Sequence, residues 1–310
     1  MTHLDPAYER ALAAFPDHPE WHELGVERAR ELEAELFSRS TDGDVVTTER
    51  TVDRPGGEGA VPVRVYRPPG LDEPAPALVF AHGGGFVLGT LDSADDLARR
   101  LAANTGSVVV SVDYRLAPEH PCPAGMDDVT AVIEWTVESA DALGVDAAQV
   151  GVAGSSAGAN LATMAARRVD VPLSVAVLFY PMLDPTLGTP SHEEHADAPL
   201  LTRADLDWFW RLYRDDGAIP VDDPLLSPLP DVGGEPSSLA DSPSTVVVTA
   251  GCDPLRDDGA RYADALAAAR VAVDHRHYPG APHGFLSLAD AVPAAADAWD
   301  DLAAAVLARR

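Results

Sequence analysis

A chain of 310 residues that is 46% hydrophobic can bury a sizeable core, and its 50 acidic residues against 22 basic ones set a net charge of −28. That charge repels phosphates and leaves no basic stripe, which excludes tight nucleic-acid binding. Charged residues run throughout the first 30 positions, and no apolar stretch approaches the ~20 residues of a bilayer span, so the expectation is a cytoplasmic protein with no leader and no membrane partner.

Residues 1 to about 44 read as helices rich in Glu and Arg. The stretch 45–52 alternates, as an antiparallel strand at a sheet edge does. From there β-rich runs at 61–66, 77–81, 107–113, 150–153, 173–179, 245–250 and 273–278 are interleaved with candidate helices at 94–103, 127–142, 157–168, 203–214, 258–270 and 294–307. Several runs are unbroken Val, Leu and Ala, as strands buried on both faces require. The alternation predicts an α/β fold, a mostly parallel sheet flanked by helices.

Residues 184–243 interrupt that alternation, being rich in Pro, Asp and His around one helix. Thr202 and Asp205 resemble a capping box at its start, and Leu206, Phe209, Trp210 and Tyr213 form one apolar face, with Trp208 off it. Segments 1–44 and 184–243 are both placed to build a helical cap over the C-terminal ends of the strands, within a single domain spanning 1–310.

The strongest chemical signal is Gly154-Ser155-Ser156-Ala157-Gly158, between an apolar run and an Ala-rich stretch. That strand–turn–helix context is what a nucleophile elbow needs: a tight turn lifts Ser156 above the sheet, and the helix N-terminus favours negative charge nearby. His82-Gly83-Gly84-Gly85-Phe86 follows the run at 77–81. Its glycines let backbone N–H groups face the space above Ser156 and, with the N–H of Ala157, form an oxyanion hole. A dinucleotide loop would need Gly at 88, where the chain has Leu88, and a Walker loop needs Lys, of which there is none.

A serine nucleophile needs a base, and the base an orienting acid. Asp253 follows the run at 245–250 and His283 the run at 273–278, each at the C-terminal end of a strand. The chain order Ser, Asp, His is the one this architecture uses. His18 with His22, His192 with His195, and His275 with His277 have pair spacings suited to metals. None has a convincing third ligand, so solvated surface histidines and no metal are expected.

Together with Tyr114-Arg115-Leu116-Ala117-Pro118-Glu119-His120-Pro121 and Asp253-Pro254-Leu255-Arg256-Asp257, these motifs resemble the bacterial and archaeal esterase branch of the hormone-sensitive lipase family, within the α/β-hydrolase fold. The resemblance implies Ser156 as nucleophile, His283 as base, Asp253 as orienting acid, and N–H groups of Gly84, Gly85 and Ala157 as the oxyanion hole. It also implies that His82 and the 114–121 segment brace the loops around the site. Ser155, Ala159 and Cys252 depart from the family's usual residues, and Cys252 beside the acid carries the expectation of sensitivity to thiol reagents.

The activity expected is hydrolysis of short- to medium-chain carboxylic esters, small-molecule substrates, without a cofactor. An amidase, a lactonase, a true lipase and a non-catalytic ligand-binding relative are the alternatives. Cys122 and Cys252 are too few for a disulfide framework and are expected as free thiols. Nothing in the sequence fixes the oligomeric state, and a homodimer stays open. Charge this far from zero costs a fold stability in dilute buffer, so a halophilic protein screened by salt is expected.

Overall fold

The runs of Val, Leu and Ala do become strands, and all of them join one sheet in a computed structural model that describes residues 3–15, 19–38, 44–57, 59–232 and 239–309. The strands are β1 (Val46–Asp53), β2 (Ala60–Arg67), β3 (Ala75–Ala81), β4 (Val108–Val112), β5 (Val145–Ser155), β6 (Val175–Phe179), β7 (Ser244–Cys252) and β8 (Val273–Pro282). Their spatial order is β1-β2-β4-β3-β5-β6-β7-β8. Antiparallel pairing is confined to β1 with β2 and β2 with β4, and the rest of the sheet is parallel. The fold is thus the α/β-hydrolase arrangement that the resemblance implied.

The helices are α1 (Pro6–Leu12), α2 (Trp21–Leu24), α3 (Val26–Phe37), α4 (Asp95–Thr105), α5 (Ala124–Glu138), α6 (Ala140–Leu143), α7 (Ala157–Ala166), α8 (Pro190–Glu194), α9 (Arg203–Tyr213), α10 (Arg256–Ala268) and α11 (Pro293–Leu307). Strand periodicity sorts them. Leu78, Phe80 and Val109 point to one face, where Leu101 of α4 and Trp299 and Leu302 of α11 cover them. Ala77, Val79 and Val110 point to the other, against Val129 and Ile133 of α5 and Leu161 of α7. On that face α10 packs Tyr262 and Leu266 onto Leu178 and Val247. Each large side chain fully buried this way contributes roughly 1.5–3 kcal/mol.

Three elements differ from the sequence reading. The helix expected at 127–142 is two, α5 and α6, parted at Ser139. β5 begins at Val145 because that residue pairs with Ala75 across a register shift; exposed Ala147 and Ala148 and polar Asp146 and Gln149 gave no strand signal there. The short helix α8, opened by Thr189 and Pro190, was not anticipated.

The expected capping box is present at α9: the Thr202 hydroxyl accepts from the Asp205 N–H at 3.1 Å, and Asp205 Oδ2 accepts from the Thr202 N–H at 3.0 Å. The same carboxylate reaches the N-terminal helices, where Oδ1 accepts from the backbone N–H of His22 at 3.0 Å. Trp21 donates its indole N–H to the Leu200 carbonyl at 3.0 Å. These bonds fasten α2 to the start of α9. Among the described residues no helix is long and apolar enough to cross a membrane.

Candidate active site

Ser156 sits between β5 and α7 with φ +54° and ψ −121°. Side chains avoid this region, so the turn must be held from outside. The Ser156 N–H donates to Phe179 at 2.9 Å, and its carbonyl accepts from Ala159 at 3.1 Å and Met182 at 3.2 Å. Glycine at 154 and 158 answers a packing demand. A Cβ on Gly154 would run into the Gly158 carbonyl, and one on Gly158 into the carbonyls of Ala81 and His82.

The base and acid arrive from the neighbouring strand ends. Asp253, fully buried after β7, accepts the Leu255 N–H on Oδ1 at 2.8 Å. Its Oδ2 stands 2.8 Å from Nδ1 of His283, whose Nε2 lies 3.1 Å from Ser156 Oγ. An Nδ1–H donated to the carboxylate leaves Nε2 as the acceptor for the serine proton. The three residues named from sequence therefore form one continuous chain. Tyr180, which sequence reasoning missed, packs edge-on against the His283 ring at 4.8 Å between centroids. Its position at the end of an apolar run looked like core.

The glycine loop faces the same space. The Gly84 carbonyl accepts from Val87 at 3.0 Å and Leu88 at 2.8 Å, curling the loop. Among the described residues no protein group accepts from the N–H of Gly84, Gly85 or Ala157, so these three donors are free for a developing oxyanion. His82 stacks on Tyr114 at 4.3 Å, its carbonyl takes the Tyr114 hydroxyl at 2.8 Å, and its Nδ1 faces Gly83 O at 2.7 Å. Burial pushes the imidazole down to about 4, so it stays neutral. Ala117 N–H donates to Phe86 O at 2.9 Å, which ties the 114–121 segment to the loop. Helix α3 adds Arg30, whose Nε donates to Val87 O at 2.8 Å and whose Nη2 donates to Ala117 O at 2.9 Å.

A cavity of about 380 Å³ opens above Ser156 and His283. Phe15, Trp21, Leu36 and Phe37 line it from the N-terminal helices, and Leu201 and Phe209 from the 184–243 segment. Of the aromatic run on α9, Phe209 alone reaches the cavity; Trp210 and Tyr213 pack on Phe86 at 5.1 and 3.9 Å instead. Glu33 of α3, also unremarked in the sequence, is a buried carboxyl in the cavity wall.

The remaining histidines correct one expectation. His192 is not solvated: it is fully buried, with Nδ1 2.7 Å from the Thr189 hydroxyl and Nε2 3.5 Å from Oδ1 of buried Asp258. The shape of the short α8 puts it there, which pair spacing could not reveal. His275 and His277 both bond the Thr249 hydroxyl, at 2.8 and 3.0 Å. His22 groups with Glu20 and Asp205, but both Asp205 oxygens are already taken by His22 and Thr202. His18 lies outside the described residues. Cys122 and Cys252 are free and buried. Burial pushes both thiols up, Cys122 to about 11, which opposes the expected thiol-reagent sensitivity because the thiolate is the reactive form.

A family model described as alpha/beta hydrolase fold matches residues 78–287. Carboxylesterase NlhH of Mycobacterium tuberculosis is 41% identical over 302 residues, covering 95% of this chain and 92% of that protein. Ethyl acetate hydrolase of Pseudomonas putida is 37% identical over 281 residues, covering 86% and 85%. Among solved structures, a hyperthermophilic esterase from the archaeon Pyrobaculum calidifontis aligns with a TM-score of 0.87 at 33% identity, over 99% of this chain and all of that one. A thermostable esterase from Pseudomonas putida aligns at 0.91 with 29% identity, over all of this chain and 99% of that one.

Proposed function

The chain belongs to the α/β-hydrolase fold family, in its hormone-sensitive-lipase-like branch, and from that premise we propose that it hydrolyses small carboxylic esters through Ser156, His283 and Asp253. The carrying observation is the unbroken contact from Asp253 Oδ2 through His283 to Ser156 Oγ, beneath three N–H donors that no described residue takes.

The reaction is two-step acyl transfer. Ser156 Oγ attacks the ester carbonyl carbon while its proton passes to Nε2 of His283. The carbonyl oxygen takes the negative charge and is held by the N–H groups of Gly84, Gly85 and Ala157. Asp253 keeps the ring oriented and stabilises the imidazolium. Collapse of the intermediate breaks the bond to the alcohol oxygen, which leaves with the proton from His283. Water then attacks the acyl-serine, gives its proton to His283, and the acid departs as Ser156 recovers its own.

The cavity of about 380 Å³, largely apolar, suits short- to medium-chain esters. Residues 3–15 and 19–38, with 184–232, act as its cap, joined by the Trp21–Leu200 and His22–Asp205 bonds. A fluorophosphonate probe is expected to label Ser156 in the wild type and not Ser156→Ala, and that variant should lose several orders of magnitude in kcat. An unlabelled wild type would leave only a binding role, and undiminished cleavage by the variant would remove Ser156 from the reaction.

A further inference from the structure

On the ester-hydrolase reading, we propose that this cavity is built for esters carrying a protonated amine, recognised by the Glu33 carboxylate.

Glu33 lines the cavity with only 9% of its surface exposed. Its polar neighbour is the Ser93 hydroxyl, a neutral donor, and burial pushes the carboxyl up with no cation opposing the shift. The arginines of its own helix are committed elsewhere: Arg28 pairs with Glu31 and Glu35, and Arg30 with Glu119 and two backbone carbonyls. Two further cavity carboxylates, Asp96 and Asp290, share Arg100 at 2.9 and 2.8 Å. Among the described residues no Arg lines the cavity itself.

A buried carboxylate whose one polar neighbour is a neutral hydroxyl is costly, and a neutral aliphatic ester would leave it so. A carboxylate-bearing ester would be repelled. An ammonium group supplies both the charge and the N–H donor, and the aromatic faces of Phe15, Trp21, Phe37 and Phe209 that complete the walls also attract cations.

The test compares isosteric pairs at about pH 7 in ~1 M NaCl, where the protein's diffuse negative field is screened. One pair is 2-(dimethylamino)ethyl acetate against 3-methylbutyl acetate, with the amine on the alcohol side. The other is ethyl 4-(dimethylamino)butanoate against ethyl 5-methylhexanoate, with the amine on the acyl side. In at least one pair kcat/KM should favour the amine roughly tenfold or more, and Glu33→Gln should bring that ratio to near one. Equal or reversed preference in both pairs, or a preference that persists in Glu33→Gln, overturns the proposal. The wild-type ratios decide by themselves if the variant does not fold. Failure to cleave all four esters would overturn the hydrolase reading instead. Calorimetric binding of 2-(dimethylamino)ethanol against 3-methylbutanol would still decide between an amine site and none.

Discussion

The ring of Phe209 occupies the space that any side chain at residue 85 would need, so a Cβ on Gly85 would fall inside the ring's van der Waals envelope. Gly85 also has φ +61°, where L-residues are strained. Gly85→Ala must therefore push the loop or the α9 side chain away. Because an oxyanion donor works only within hydrogen-bond reach, kcat should fall on the order of 100-fold. Full activity in a folded Gly85→Ala protein would remove residue 85 from the oxyanion hole.

Arg30 links α3 to the glycine loop through Val87 O and to the 114–121 segment through Ala117 O, while both Nη atoms grip Glu119 at 2.8 and 2.7 Å. This charge pair holds the Glu119 carboxyl down to about 2. The pair itself is half-exposed and contributes little, but the carbonyl contacts set the loop's position. Arg30→Ala should reduce stability by about 1–3 kcal/mol and lower kcat more than it raises KM. Lysine lacks the planar fork, so Arg30→Lys should recover only part of the loss. A change confined to KM would assign Arg30 to binding instead of loop positioning.

The sheet was legible because its central strands are buried on both faces, and unbroken apolar runs such as Val175–Phe179 have few other uses. The triad was legible because motif, chain order and strand-end placement coincide at Ser156, Asp253 and His283, which the geometry then brings into contact. Glu33 was not, since a Glu in a Glu- and Arg-rich helix reads as solvated; only the tertiary packing of α3 over the site buries it. Tyr180 was missed, and His192 was expected on the surface, for a related reason. Their roles depend on the turn after β6 and on the five-residue α8, where periodicity is too short to report a face.

His82 makes stability depend on acid pH. Its unfolded value is near 6.5 and burial takes the folded value down to about 4, so below 6.5 the unfolded chain binds the extra proton. Its contribution is complete above 6.5 and is lost as pH falls toward 4, by about 3 kcal/mol in all. Denaturant midpoints measured for wild type and His82→Asn should therefore converge as pH drops through this window. Parallel curves would show that His82 does not titrate on unfolding.

The charge of −28 makes stability depend on salt. With 50 acids and only 22 arginines, the acids outnumber the arginines more than two to one, and their mutual repulsion acts over a screening length of about 10 Å at 0.1 M salt but about 3 Å at 1 M. Tm should rise as NaCl is added, mostly below molar concentration, and sucrose should not reproduce the early part of the curve. The solvent face of α11 offers a local check. Asp297 is exposed and lies one turn from Asp300 and Asp301, also exposed, as like-charge neighbours at i+3 and i+4. Such pairs each cost roughly 0.2–0.5 kcal/mol at low salt. Asp297→Asn should thus stabilise the protein in dilute buffer, and the gain should vanish at molar salt. A gain that survives high salt would have a source other than repulsion, and a flat wild-type curve would mean that the acidic surface needs no screening.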